Sequence, residues 1–291
     1  MIVEDVTVCV CEGLKIRKMP TKAFSLASIS EDKPLFVLDT RSDQRIRLFT
    51  NLGAMLSIAV SELPETRATT RATNLAALLP FEKNESIIAL YPDDEEGDYL
   101  FYLRDGNIKR TPSAEYRVRV KRTAAVALRD KDRLLAVEKY EPKSILLITK
   151  LGMSIRFAAD TIPAMGRVSG GVKCIKLEKN DEVIYSALVP DEGEVLTITD
   201  KGFGKRSPMF EYELQGRNGK GLKTFDLKKN GANGTCIAAV LHLTEPRTLT
   251  LIQRHGTRTP VNSSEARVEP RAGKGTMLVA VVLDDDVIGV E

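Results

Sequence analysis

Lysine and arginine set among glycines recur along this chain, and the chemistry such groups can do is to hold phosphate. Gln215-Gly216-Arg217-Asn218-Gly219-Lys220-Gly221 has three glycines that let the backbone take positive φ, so that Arg217 and Lys220 project from it. Met165-Gly166-Arg167-Val168-Ser169-Gly170-Gly171-Val172-Lys173 and Glu269-Pro270-Arg271-Ala272-Gly273-Lys274-Gly275 share the design, glycines flanking one or two cations and then a strand-like run. A nucleotide-cradling loop has a different pattern. Gly216 to Gly221 is not Gly-x-x-x-x-Gly-Lys-Ser/Thr, and it runs into the strand-like Leu222-Lys223-Thr224-Phe225 where that motif needs a helix N-terminus. Several similar loops at regular intervals fit a partner that repeats along its length, as a polynucleotide backbone does.

The elements that must position these loops are hairpins. Val195-Leu196-Thr197-Ile198-Thr199 alternates apolar and polar residues, the pattern of a half-buried strand. Lys201-Gly202 turns it, and Gly204-Lys205-Arg206-Ser207-Pro208 returns with two cations and a proline that ends the ladder for want of an N–H. Turn glycines preceded by strand-like runs stand at Gly13, Gly53, Gly106, Gly152, Gly202 and Gly256, about 40 to 54 residues apart. Such a period predicts a propeller-like closed array, one all-β domain over residues 1–291 with units near 1–43, 44–84, 85–130, 131–181, 182–233 and 234–291. Cations follow most of the turns: Lys15, Arg17 and Lys18; Lys109 and Arg110; Arg156; Lys205 and Arg206; Arg258. The second unit departs, since Ala54-Met55-Leu56-Ser57-Ile58 carries none.

The third unit is the most basic. Tyr116-Arg117-Val118-Arg119-Val120-Lys121-Arg122, read as a strand, buries Val118 and Val120 and presents Arg117, Arg119 and Lys121 together on the other face. The same stripe also suits an edge strand guarded against pairing. In the second unit Leu63 to Arg71 is a loop with two cations, leading to Leu75–Leu79 as an apolar strand, and Met277 to Val282 reads as the last strand.

Net charge is only +3, but ten Lys/Arg against four Asp/Glu lie between Arg104 and Arg133, and six against two between Lys201 and Lys223. Acidic runs fall elsewhere, at Asp93–Glu96 and Asp284–Asp286. If equivalent positions of a closed array share one rim, that rim is positive. The alternative, solvated faces of surface strands, stays open at this point. Hydrophobic content of 43% with no Trp predicts a core of Val, Ile, Leu and Ala. Cys9, Cys11, Cys174 and Cys236 make no metal-ligand spacing and read as reduced core thiols. His242 and His255 stand alone, and there is no Gly-x-Ser-x-Gly elbow or carboxylate pair. The chain opens directly on a strand, as a module of something larger would. It shows no signal peptide and no apolar run near the roughly 20 residues of a membrane span, so an intracellular protein is expected.

The repeated strand-Gly-x-x-Lys/Arg unit, the stretch Met165 to Leu177, and Gly202-Phe203-Gly204-Lys205-Arg206 resemble the C-terminal domain of the A subunit of bacterial type IIA topoisomerases, DNA gyrase and topoisomerase IV. The resemblance covers essentially the whole chain. It implies a six-bladed β-pinwheel whose blades exchange strands and whose basic outer rim binds and bends duplex DNA. Gyrase A subunits carry Gln-Arg-Arg-Gly-Gly-Lys-Gly in the first blade, tied to tight chiral wrapping; here Ser25 to Lys33 lacks it, which favours the topoisomerase IV A subunit. The catalytic tyrosine, its arginine partner and the metal-binding acids belong elsewhere in that holoenzyme, as do ATP and Mg, so no catalytic residue, metal or cofactor is expected here. The implied partners are duplex DNA, the B (ATPase) subunit, and the N-terminal part of the same A subunit. The isolated domain should be a monomer in the bacterial cytoplasm, on the nucleoid and not on a membrane. The DNA contacts expected are Lys15, Arg17 and Lys18; Lys109, Arg110, Arg117, Arg119, Lys121 and Arg122; Arg156, Arg167 and Lys173; Lys205, Arg206, Arg217 and Lys220; and Arg258, Arg271 and Lys274. A propeller that binds a protein partner is the alternative.

Overall fold

The computed structural model describes residues 3–27, 34–282 and 284–291. A hairpin of β1 (Asp5–Cys11) and β2 (Lys15–Pro20) is followed by the five-residue helix α1 (Thr21–Ser25) and by β3 (Pro34–Arg41). The second hairpin, β4 (Arg45–Thr50) and β5 (Ala54–Ala59), leads through the two-residue strand β6 (Thr73–Asn74) to β7 (Ile87–Pro92). The same course then repeats. The third module is β8 (Asp98–Leu103), β9 (Asn107–Pro112), β10 (Arg122–Ala124) and β11 (Leu134–Lys139). The fourth is β12 (Ser144–Thr149), β13 (Met153–Ala158), β14 (Val172–Lys173) and β15 (Val183–Val189). The fifth is β16 (Glu194–Thr199), β17 (Phe203–Pro208), β18 (Leu222–Lys223) and β19 (Ile237–Leu243), and the sixth β20 (Thr248–Gln253), β21 (Arg258–Asn262), β22 (Thr276–Met277) and β23 (Val287–Val290).

Each module lends its short strand to the sheet before it. The sheet orders are β3-β1-β2-β6, β10-β5-β4-β7, β11-β8-β9-β14, β15-β12-β13-β18, β19-β16-β17-β22 and β21-β20-β23. The loan is made at the turn glycine. Gly202 takes φ +74°, and a Cβ there would lie 2.3 Å from the Val279 carbonyl oxygen, while its own carbonyl accepts from the Leu278 N–H at 2.9 Å. Gly152 accepts in the same way from Thr224 at 2.7 Å, and Gly106 from Cys174 at 3.0 Å. Glycine is therefore required twice, for the turn and for the approach of the incoming strand. Gly202→Ala is expected to cost at least about 1–3 kcal/mol, read as a lower urea midpoint; an unchanged midpoint would show that the lent strand can shift aside.

The chain forms two compact units, one of residues 1–102, 109–140 and 163–171 and one of residues 103–108, 141–162 and 172–291. The first holds an aliphatic core that includes Val8, Val10, Leu48, Leu56 and Leu75. It also holds a cluster of aromatic rings, Phe49, Tyr91, Tyr99, Phe101 and Tyr116, with Phe49 edge-on to Tyr99, Phe101 and Tyr116 at 5.3–5.5 Å. Sequence composition predicts an aliphatic core throughout; in this unit nearly a third of the chain's 16 Phe and Tyr gather in one place. The second unit is mainly aliphatic, built on Leu146, Ile148, Leu196, Ile198, Leu249 and Leu251, with Phe157, Tyr212 and Phe225 buried outside the aromatic cluster.

Several expected strands differ. β16 is buried on both faces, Thr197 and Thr199 included, because sheets pack on both of its sides. Residues 117–121 are not a strand. Tyr116 is fully buried and closes a 3-10 turn over Ser113–Tyr116, after which the chain must cross to pair Arg122 with Leu56. Val120 is consequently 54% exposed, not buried. Leu75–Ala77 is a 3-10 turn capped by Asn74, and only Thr276–Met277 of the last predicted strand pairs. In the Ala23–Lys33 loop, residues to Ser25 complete α1, and residues 28–33 lie outside the described residues.

Candidate nucleic-acid interface

The loops are built on the second strand of each hairpin, at one recurring backbone position. Thr66 N–H donates to the Lys18 carbonyl at 2.8 Å, Ser57 N–H to the Lys121 carbonyl at 3.1 Å, Met165 N–H to Arg110 at 2.9 Å, and Gln215 N–H to Arg156 at 2.7 Å. Arg206 completes the series, donating to the Arg267 carbonyl and accepting from Glu269 N–H, both at 2.9 Å. Five loops therefore dock alike, each following a short 3-10 turn.

The side chains at and beside that position do not point outward as the sequence suggests. Arg17, Lys109 and Lys205 occupy the inward register and are 1%, 0% and 0% exposed. Leu56 and Ile155 hold the same place in the second and fourth hairpins. Arg17 Nη1 donates to the Arg67 carbonyl at 3.0 Å and the Thr70 carbonyl at 2.6 Å. Lys109 Nζ donates to the Ala125 carbonyl at 2.5 Å, to Tyr116 Oη at 3.0 Å and to the Arg167 carbonyl. Lys205 Nζ donates to Ser207 Oγ at 2.6 Å and the Arg271 carbonyl at 2.9 Å. Burial pushes the Lys109 ammonium down to about 7, with repulsion from Arg167 adding to it. Burial takes Lys205 down to about 8 against the attraction of Glu269 and Glu211.

The neighbouring cations are paired within the protein. Arg110 Nε meets Asp98 at 2.6 Å, with its guanidinium 3.6 Å from the Tyr140 ring centroid. Arg156 is buried, pairs with Asp191 and donates to Ser144 Oγ at 2.8 Å; Arg206 meets Glu194 at 2.6 Å; Lys18 donates to the Val60 carbonyl at 3.2 Å. Arg122 lies 2.8 Å from both Glu82 and Glu85. Burial alone would raise Glu85, yet hydrogen bonds from Arg122, Thr50 and the Glu82 N–H together hold it below the ordinary carboxylate range. Lys121 lies 3.5 Å from Glu62, Arg258 2.8 Å from Glu291 and Lys274 3.8 Å from Asp226, while Lys15 is exposed.

The loop arginines reach back to the strand lent by the preceding loop. Arg167 donates to the Ala124 carbonyl at 3.0 Å and to Thr123 Oγ1, Arg217 to the Lys173 carbonyl at 3.2 Å, and Arg271 to the Lys223 carbonyl and, through Nε, to Glu211 O at 3.0 Å. Among the described residues of the docking loops, the cations Arg67, Arg71, Arg117, Arg119, Lys173, Lys220 and Arg267 are exposed and have no side-chain hydrogen bond or ion pair. Arg67 and Arg71 are absent from the expected contacts because their loop lacks glycine; the spacing of two arginines after Leu63-Pro64 is the signal that marks them.

A protein-family model described as DNA gyrase C-terminal domain, beta-propeller, matches residues 48–92, 104–140, 143–190 and 193–237, more than half of the chain. The chain belongs to this family. The DNA gyrase A subunit of Salmonella typhimurium is 31% identical over 276 residues, 93% of this chain and 31% of that protein. The DNA gyrase A subunit of Thermotoga maritima is 32% identical over 281 residues, 94% of this chain and 34% of that protein. The chain thus spans about a third of the length of the curated relatives it matches. Among solved structures, the C-terminal domain of DNA topoisomerase IV superposes with TM-score 0.91 at 22% identity, covering 100% of this chain and 94% of that one. The DNA gyrase A C-terminal domain gives 0.67 at 16%, covering 99% of each. The all-β fold expected from the repeats, and the pinwheel that the resemblance implies, are the fold of these domains.

Among the described residues, those outside the loops form no second centre. His242 Nε2 is 2.8 Å from the Glu192 carbonyl oxygen, and His255 is 62% exposed beside Asp285 at 3.7 Å. Cys9 and Cys11 are buried with their sulfurs 3.7 Å apart. Among the described residues no group of three or more His, Cys, Asp or Glu is placed to hold a metal, and no helix is long and apolar enough to cross a membrane.

Proposed function

We propose that this domain is the non-catalytic DNA-binding part of a type IIA topoisomerase A subunit. It holds and bends duplex DNA through phosphate contacts from its loops, presenting a segment for strand passage in ATP-dependent control of DNA topology. The observation that carries this reading is the common docking of five loops, each of which exposes a cation that no carboxylate neutralises. Cations bound to main-chain carbonyls have spent their donors, and those paired with acids are locally neutralised, so the exposed loop cations Arg67, Arg71, Arg117, Arg119, Lys173, Lys220 and Arg267 make the contacts. Phosphate contacts position DNA without reading bases, so sequence preference is weak. Bending costs on the order of 1–10 kcal/mol per 20–30 base pairs, which requires loops of several modules to act together.

Cleavage and ATP hydrolysis belong to the partners, the B subunit and the N-terminal part of the A subunit, where the tyrosine, Mg and ATP sit. The domain works as a monomeric module in the bacterial cytoplasm, on the nucleoid. The missing box at Ser25 to Lys33 supports the topoisomerase IV A subunit, while identity of 31–32% to gyrase A subunits supports gyrase. Supercoiling against relaxation by the assembled holoenzyme separates the two.

Binding to duplexes of increasing length, by wild type and by Arg117→Ala/Arg119→Ala, tests the reading. Affinity is expected to rise with length over several helical turns, and the variant to lose affinity with a log–log salt slope shallower by about 1.8. Length-independent binding with an unaffected variant would make these cations ordinary solvated side chains and leave a protein partner as the occupant.

A further inference from the structure

We infer that Arg17, Lys109 and Lys205 are positioning residues for DNA: each acts through the main-chain carbonyls of the loop it holds, without touching the duplex. The inference rests on the proposed DNA-binding role of the loops. Three observations carry it. The three cations share one register of β2, β9 and β17 and are all but fully buried, so a phosphate could reach them only by displacing the loop. Each donates to the carbonyl of the loop arginine itself, Arg67, Arg167 or Arg271. Among the described residues the Arg167 and Arg271 carbonyls accept from no other donor, so losing the lysine would leave them unpaired, which is costly, whereas the Arg67 carbonyl also accepts from the Thr70 N–H at 3.1 Å.

A second set of bonds extends the arrangement from loop to loop. Arg167, Arg217 and Arg271 spend their guanidiniums on carbonyls of the preceding lent strand. A planar guanidinium, donating in several directions at once, suits bridging of this kind, and in these loops it leaves the lysine as the cation free for a phosphate. Arginine and lysine in one loop therefore do different work: the arginine fixes the loop, and Lys173 or Lys220 faces outward. The buried lysines are also poor phosphate ligands in their own right, since burial takes their ammonium groups down to about 7 and 8 and leaves them only partly charged near neutrality.

The test compares Lys205→Met and Lys109→Met with Lys220→Ala in the whole chain, reading DNA affinity against salt and amide hydrogen exchange. Lys205→Met is expected to lower affinity about tenfold at every salt concentration with the slope unchanged, and to speed exchange of residues 267–275 at least tenfold. Lys109→Met should do the same for residues 163–171. Lys220→Ala should reduce the slope by about 0.9 and leave exchange unaltered. If a methionine variant does not fold, Arg17→Lys, a shorter cation with fewer donors, should give an intermediate loss of affinity with faster exchange over residues 66–71. A methionine variant whose slope falls by about 0.9 would make its lysine a contact residue and overturn the inference. Unchanged affinity would overturn it too, whether or not the loop loosens. If wild type and Lys220→Ala bind no DNA at all, the proposed function fails instead, and the exchange data still report whether the buried cations hold the loops.

Discussion

Duplex affinity is expected to fall about 10⁴-fold between 50 and 200 mM salt, with a log–log slope of about −6. Seven exposed, unpaired loop cations neutralise about seven phosphates, and each contributes roughly −0.9 to the slope. The number discriminates sharply. Were all 19 cations expected from the sequence to touch DNA, the slope would approach about −17, a salt sensitivity that would abolish binding well below 200 mM. The difference lies in where the structure puts the hairpin cations: Lys109 and Lys205 are enclosed, Arg110 faces Asp98 and Arg206 faces Glu194. A variant with Arg67, Arg71, Arg117, Arg119, Lys173, Lys220 and Arg267 all changed to Ala should bind with a slope near zero. A slope that stays steep in this variant would move the contacts to the paired cations, with DNA displacing their carboxylates.

What could be read in the sequence, and what could not, follows from the range of the forces involved. The turn glycines are legible because a positive φ is a local demand, and their spacing gives six hairpins and the all-β repeat. The loans between modules leave no local mark. Thr73–Asn74 and Val172–Lys173 become strands only because β2 and β9 offer unpaired edges to them. For the same reason the alternation at Arg117–Lys121 misleads: period-2 patterning favours a strand, but the buried Tyr116 and the crossing to β5 determine the path there. A cation two or three residues before a proline looks the same in sequence whether it faces water or a ring of carbonyls. Lys109 and Lys205 could have been separated from Lys220 by one clue. They stand at the register that is Leu56 and Ile155 in the alternate hairpins, which is an interior position.

Burying two ammonium groups ties stability to pH, and the fold is expected to grow more stable from pH 6 to about 9. In the unfolded chain both lysines stay protonated to about 10.4. In the native state burial lowers Lys109 to about 7 and Lys205 to about 8, so over the interval between these values and 10.4 the unfolded chain binds more protons and stability rises with pH. Below pH 7 both are charged in either state and the penalty is full, on the order of 3–5 kcal/mol for each. The gain is limited from above. Burial raises the Cys174 thiol and the Tyr99 and Tyr212 phenols to about 12, so above about pH 9 to 10 the unfolded chain loses protons that the native state keeps, and stability declines. Urea unfolding at unit steps from pH 6 to 11 should therefore trace a maximum near pH 9. Lys109→Met/Lys205→Met should flatten the acid limb and leave the alkaline limb in place, because the thiol and phenols are untouched. A wild-type profile level between pH 6 and 9 would mean that these ammonium groups keep their ordinary affinity for protons, with the loop carbonyls solvating the charge as well as water does.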